Sequence, residues 1–192
     1  RQTRGKYNID SDRPYILHLG RFGENKNHFI TMFSFYLMSK SLRDPESIPQ
    51  LVLAGEEPKN EKQRLAFNRL VEFSHYLGLS QHVRALALKY KEDEELNARE
   101  VNALQRGAIF AVHPPLNEAL SLVVLEDEFK GTPVIATNVG GIPFQIPHVS
   151  EILGEPLIVS LSSFENERIR AIYIRYFING DFKSTEESLR DL

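Results

Sequence analysis

The 192-residue chain contains no cysteine. That absence excludes disulfides and thiolate metal sites, and it fits a reducing compartment, so a cytoplasmic location is expected. Excess charge of one sign is also missing: 23 Lys and Arg against 26 Asp and Glu leave a formal net charge of -3. Such a balance gives no basic field for nucleic acid and no polybasic membrane anchor. No apolar run is long enough to span a membrane, and the opening RQTRGKYNIDSDR has no signal-peptide core. The six histidines are scattered, with no H-x-x-x-H and no carboxylate triad, so no metal site is expected. The first residue is Arg1 rather than methionine, and the chain is expected to be a piece of a larger protein.

What remains is a globular composition, 42% hydrophobic, in a chain long enough for one sizeable core. Strand and helix patterns alternate along it. YILHL at 15–19, QLVLAG at 50–55, HVRALAL at 82–88, AIFAVHP at 108–114, PVIAT at 133–137 and PLIVS at 156–160 read as strands. Helical spacing covers 28–42, 61–77, 94–106 and 120–130, with Gly78 placed as a helix stop. A last stripe (Ile169, Ile172, Tyr173, Tyr176, Phe177) ends at Asn179-Gly180. Residues 1–12 are expected to be flexible, and 181–192 form a polar tail.

The strands are nearly continuous in apolar residues, the pattern of a parallel sheet covered on both faces. The expected fold is therefore α/β: one doubly wound, Rossmann-like domain over 1–192, with about six parallel strands and helices on both faces. Ligands of such sheets sit beyond the carboxyl ends of the strands, which directs attention to the loops after Leu19, Leu88, Val112 and Thr137.

Three of those loops carry unusual residues. GRFGENKN at 20–27 combines Gly20 and Gly23 with the cations Arg21 and Lys26 just before a helix, an arrangement that suits a phosphate. A solvated loop with two surface cations fits it equally well, and it is neither a Walker loop nor G-x-G-x-x-G. In HPPLNEALSLVVLEDE, Pro114 and Pro115 stiffen the exit from a strand, and Asn117 is placed to cap the following helix. That puts Glu118 in the first turn and Glu126 roughly two turns along. Taken together, the two glutamates suit vicinal sugar hydroxyls. Taken singly, Glu118 is explained by the helix dipole, and Glu126-Asp127-Glu128 reads as a solvated face. TNVGGIP places Gly140-Gly141 after a strand, either for close backbone approach or as a plain turn. His113 lies near these loops and is expected to be structural. The acidic run at 91–96 reads as solvated, with Arg99 and Arg106 as its surface partners.

Taken in order, Gly20-Arg21…Lys26, Glu118-x7-Glu126 and GTPVIATNVGGIP resemble the C-terminal, donor-binding half of a retaining GT-B glycosyltransferase of family 4. The likeness runs from about Arg13 to about Ile146. AREVNALQR at 98–106 and GGIPFQI at 140–146 add a resemblance to the trehalose-forming branch, the glycosyltransferring synthases and phosphorylases.

The resemblance implies a nucleotide sugar or sugar phosphate as donor, no metal or other cofactor, and a sugar acceptor bound through an N-terminal domain not in this chain. Arg21 and Lys26 would neutralise the departing phosphate, Glu118 would hold the donor sugar, and Glu126 the ribose. Gly20 and the Ala119, Leu120, Ser121 and Leu122 segment would line the donor through backbone amides.

Four departures stand out. Ala119-Leu120-Ser121 replaces a glycine-rich start. Asn27 stands where a glycine often follows the lysine. LEDEF adds acids beside Glu126, and the likeness stops at Ile146.

Overall fold

The computed structural model describes residues 2–89, 94–146 and 158–159. β1 (Tyr15–Leu19) and β2 (Gln50–Glu56) are buried along nearly their whole length, as strands covered on both faces must be. β3 (Val83–Leu88), β4 (Phe110–His113) and β5 (Val134–Thr137) are partly buried, and β6 (Ile158–Val159) adds two residues. They form one six-stranded sheet in the order β3-β2-β1-β4-β5-β6, every pairing parallel.

Tyr15 stands opposite Gln50 on one side of β1, and Ile16 stands opposite Phe110 on the other. The winding direction therefore reverses between β1 and β4. A crevice opens at such a switch point because the two following loops run off in opposite directions.

The helices occupy the predicted intervals. α2 (His28–Ser41) follows β1, α3 (Glu61–Tyr76) follows β2, and α4 (Glu94–Gly107) follows β3. α5 (Leu122–Phe129) follows β4, and the single turn of α6 (Ile142–Gln145) follows β5. α2 buries His28 to Phe33 and Phe35, a wide face rather than a stripe. Phe29 stacks on Phe33 at 5.9 Å and on Phe73 of α3 at 5.3 Å, contacts worth about 0.5–1.5 kcal/mol each beyond their buried area. Asn60 caps α3 by accepting the Gln63 amide at 2.9 Å, and Gly78 ends it at φ 71°. A buried cluster under α5 and α6 joins Val124 and Ile142 to Ala111, Val134 and Ala136 of the sheet.

Residues 2–12, expected to be flexible, contain α1 (Gln2–Lys6) and a buried Ile9. Their anchor is Arg4. Its guanidinium lies 4.8 Å over the Tyr15 ring and donates to the carbonyls of Asp10, Ser11, Arg13 and Gly107. This joins the chain start to β1 and to the end of α4. Arg106 donates to Asn102 at 3.3 Å, and residues 91–93 of the acidic run lie outside the described residues.

The chain divides into units 1–159 and 160–192. The predicted stripe at 169–177 and the tail at 181–192 belong to the second and lie outside the described residues. Among the described residues no helix is long and apolar enough to cross a membrane.

Candidate functional site

The loops after β1 and β4 meet at the switch point and are laced together by Asn25. Its carbonyl accepts the Leu116 amide at 2.9 Å, its Oδ1 accepts the Asn117 amide at 3.1 Å, and its Nδ2 donates to the Asn117 carbonyl at 2.9 Å. This lacing sets the next residue of each loop face to face: Lys26 Nζ pairs with Glu118 Oε2. Both side chains are only partly exposed, 26% and 17%. Thus the cation and the carboxylate, 92 positions apart in sequence, share one hollow.

The loop after β5 completes the wall. The Gly141 amide donates to the Glu118 carbonyl at 3.2 Å. Gly140 has φ 53°, and a Cβ there would stand 1.7 Å from the Glu118 carbonyl oxygen; a Cβ on Gly141 would stand 2.1 Å from the Ala119 carbonyl oxygen. Only glycine permits that approach. The paired glycines therefore serve close packing against Glu118 rather than a plain turn. From the same side, Thr137 Oγ1 donates to the Pro115 carbonyl at 2.8 Å.

The helical start expected at Asn117 is displaced. Ser121 is the N-cap of α5, its hydroxyl accepting from the Val124 amide. Glu118 accordingly lies in an extended loop, not in a first helical turn, because Asn25 and Gly141 occupy the backbone of 116–118. Its position is thus set by loop contacts rather than by the dipole of α5. On the opposite wall α2 begins at His28. Asn27 adopts the left-handed conformation (φ 56°, ψ 43°), which explains how asparagine replaces the expected glycine. Its side chain makes no capping bond; its carbonyl accepts the first-turn Ile30 amide at 3.2 Å instead.

The recess encloses about 10 Å³, room for about one water molecule, with His18, Lys26, His113, Glu118 and Ser121 on its walls. Lys26 and Glu118, in contact with each other, both line it. Gly20 lies beside it, its amide donating to Ala54 at 2.9 Å, and Gly55 lets it approach, since a Cβ there would stand 2.1 Å from the Gly20 carbonyl oxygen.

Arg21 is exposed and is not among the lining residues. Ala119, Leu120 and Leu122 are exposed, whereas the Ser121 amide is taken by Gln145 Oε1 at 2.9 Å. Glu126 sits along α5, held by Gln105 Nε2 at 3.3 Å and by Lys130 at 3.7 Å, outside the recess.

Three histidines cluster here, His18 and His113 lining the recess and His28 stacked behind His18. The His18 and His28 rings stack at 3.9 Å and 9°, and His18 meets His113 edge-on at 6.1 Å. Burial, reinforced by mutual repulsion and by Lys26, holds His18 well below the usual imidazole range. Burial pushes His28 down to about 3, against a smaller opposing influence from the Gly20 backbone. Neither ring nitrogen of His28 makes a hydrogen bond of ordinary geometry. His18 Nδ1 is bonded to Thr31 Oγ1 at 2.8 Å.

The expectation of a solvated acidic triplet fails at Asp127. Its side chain is fully buried, with Oδ2 2.7 Å from His113 Nε2. It follows the buried Val124 by three helical positions, a spacing that turns it inward.

Two glutamines went unremarked as site residues in the sequence. Gln145 grips Ser121 twice, accepting from its amide and donating to its carbonyl at 2.8 Å, and Gln105 holds Glu126. Both belong to the segments that carried the trehalose-branch likeness, which was the available signal. Among the described residues no group of three or more His, Asp or Glu side chains is arranged for a metal.

The all-parallel doubly wound sheet, with its recess at the switch point, is a Rossmann-like α/β domain. The family profile described as Glycosyl transferases group 1 matches residues 1–151, so the chain belongs to that family. It is 26% identical over 141 residues to trehalose synthase from Rubrobacter xylanophilus, which covers 73% of this chain and 32% of the relative. It is 26% identical over 140 residues to trehalose phosphorylase from Grifola frondosa, covering 71% and 19%. A UDP-forming α,α-trehalose-phosphate synthase structure from Burkholderia xenovorans shares the fold, with TM-score 0.65 at 13% identity over 100% of this chain and 44% of that one. The chain spans about a third or less of the curated relatives it matches.

Proposed function

We propose that this chain is the donor-binding half of a retaining glycosyltransferase that passes a glucosyl unit from a nucleoside diphosphate glucose to a sugar acceptor, giving a trehalose-type product. The observation that carries the reading is the shared hollow of Lys26 and Glu118 beside the start of α2. In the unliganded domain each charge neutralises the other. A sugar phosphate entering between them replaces both contacts at once: phosphate oxygens accept from Lys26, and Glu118 accepts from sugar hydroxyls. Arg21 stands two residues beyond β1, exposed, and would reach over the phosphate from that side. Glu126 offers a carboxylate to the ribose. The Leu120 to Leu122 backbone borders the sugar, with the Ser121 amide reached only if Gln145 yields it.

As the glycosidic bond breaks, the sugar becomes oxocarbenium-like and negative charge gathers on the leaving phosphate. A cation whose contact strengthens at that moment raises the rate and not merely the affinity. Removing one such contact costs about 2.7–4 kcal/mol in comparable oxyanion sites. Lys26 and the α2 terminus would supply the positive charge in place of a divalent ion, so the reading includes no metal. The acceptor is assigned to a partner domain, and the isolated chain is expected to turn over little or no substrate. The lack of cysteine suits a cytoplasmic setting.

A phosphorolytic variant, using glucose 1-phosphate, is favoured by the likeness to a trehalose phosphorylase and by the placement of Glu126 outside the recess. Calorimetry with UDP, ADP and glucose 1-phosphate separates the two. Nucleotide binding that is lost in Glu126→Ala supports the transferase. Binding of glucose 1-phosphate alone supports the variant, and silence from all three leaves a non-catalytic module.

A further inference from the structure

We infer that His113, oriented by Asp127, is a positioning residue that holds a hydroxyl of the donor sugar at the floor of the recess. This rests on the donor-binding reading above. The first ground is the ring's chemistry. The His113–Asp127 contact is 2.7 Å, with side-chain exposures of 5% and 0%. A carboxylate only accepts, so His113 Nε2 carries the proton, and in the neutral ring Nδ1 is then the lone-pair acceptor of a side chain that lines the recess.

The second ground is cost. A buried carboxylate bonded to a histidine is no more stabilising than an apolar pair of the same shape, and breaking it is worse. Here both partners are buried, where apolar side chains would pack without that penalty. Among the described residues Asp127 Oδ1 has no hydrogen-bond partner, so the pair does not serve to satisfy the core. Its position beside the hollow supplies the reason for keeping it.

The third ground is the surroundings. His18 and His28 are held neutral by burial, and His18 Nδ1 is already used by Thr31. Lys26 donates only, and Glu118 accepts from the opposite wall. The recess, about 10 Å³, admits one group of hydroxyl size between them. A sugar hydroxyl fits that space and donates to Nδ1, whereas an ionised phosphate oxygen has no proton to give.

The test uses the whole 192-residue chain and compares UDP-glucose with UDP, and ADP-glucose with ADP, by calorimetry. The ratio of the two dissociation constants isolates the sugar's share. Asp127→Asn offers an amide donor to Nε2, moving the ring proton to Nδ1 and turning the acceptor into a donor. His113→Gln removes the ring. Both are expected to lower the sugar-dependent ratio about tenfold while changing affinity for UDP or ADP less than twofold.

Nitrogen NMR of the unmutated chain gives an arm that needs no variant. His113 should be the Nε2–H tautomer, and its Nδ1 resonance should move with UDP-glucose or ADP-glucose but not with UDP or ADP. An unchanged ratio in both variants, or an Nδ1 resonance indifferent to the sugar, overturns the assignment and leaves the donor reading standing. If the unmutated chain binds none of the four ligands, the donor reading falls and takes this assignment with it.

Discussion

Acid should destabilise this domain through the buried, stacked histidines beside the recess, by an amount that the structure sets. His18 and His28 are stacked, fully buried and held below the ordinary imidazole range. In the unfolded chain both return to about 6.5. Below that value the unfolded state binds protons that the folded state refuses. Stability from these groups is therefore complete above pH 6.5 and is lost as pH falls, for His28 until about pH 3.

Between pH 7.5 and 5.0 His28 contributes a loss of about 2 kcal/mol, and His18 adds a loss of the same sign. His28→Phe keeps a flat ring against His18 and beside Phe22 while removing two unpartnered nitrogens. Its acid-induced loss should be smaller than the parent's by about 2 kcal/mol. Urea unfolding followed by circular dichroism at both pH values measures this difference, and every other titrating group is common to the two proteins. Equal acid losses would refute the reasoning, because they would mean that His28 titrates normally in the folded chain.

Lys26→Ala should change stability by no more than about 1 kcal/mol, since the pair is partly solvated, yet weaken donor binding about 10- to 100-fold by calorimetry. Gly140→Ala should cost more than Gly78→Ala in urea midpoints. Both sites have positive φ, worth about 1 kcal/mol, but only the former drives a Cβ into the Glu118 carbonyl. Gln145→Ala leaves the Ser121 amide and carbonyl without their partner, and a loss of about 1–3 kcal/mol in the same assay is expected.

The architecture was legible because strands such as YILHL and QLVLAG are apolar without alternation, which only a sheet covered on both faces requires. Strand order was not, because parallel pairing leaves no mark in the connecting loops. Yet the order is what brings Lys26 to Glu118. Asn117 looked like a helix cap because local propensity favours it. Contacts from Asn25 and Gly141, distant in sequence, overrode that preference and moved the cap to Ser121. Asp127 was misread because its neighbours are acidic, whereas its environment is decided by the helix face it shares with Val124. Arg21 and Glu126 matched a motif, but the recess is lined without them.

The account turns on Lys26 and Glu118 parting to admit a sugar phosphate between them. A crystal structure of the chain with UDP-glucose or ADP-glucose bound tests this most directly. The account predicts Lys26 Nζ within hydrogen-bond distance of a phosphate oxygen and a Glu118 oxygen on a sugar hydroxyl, with their mutual contact broken. A donor bound elsewhere, with that ion pair intact, would contradict it.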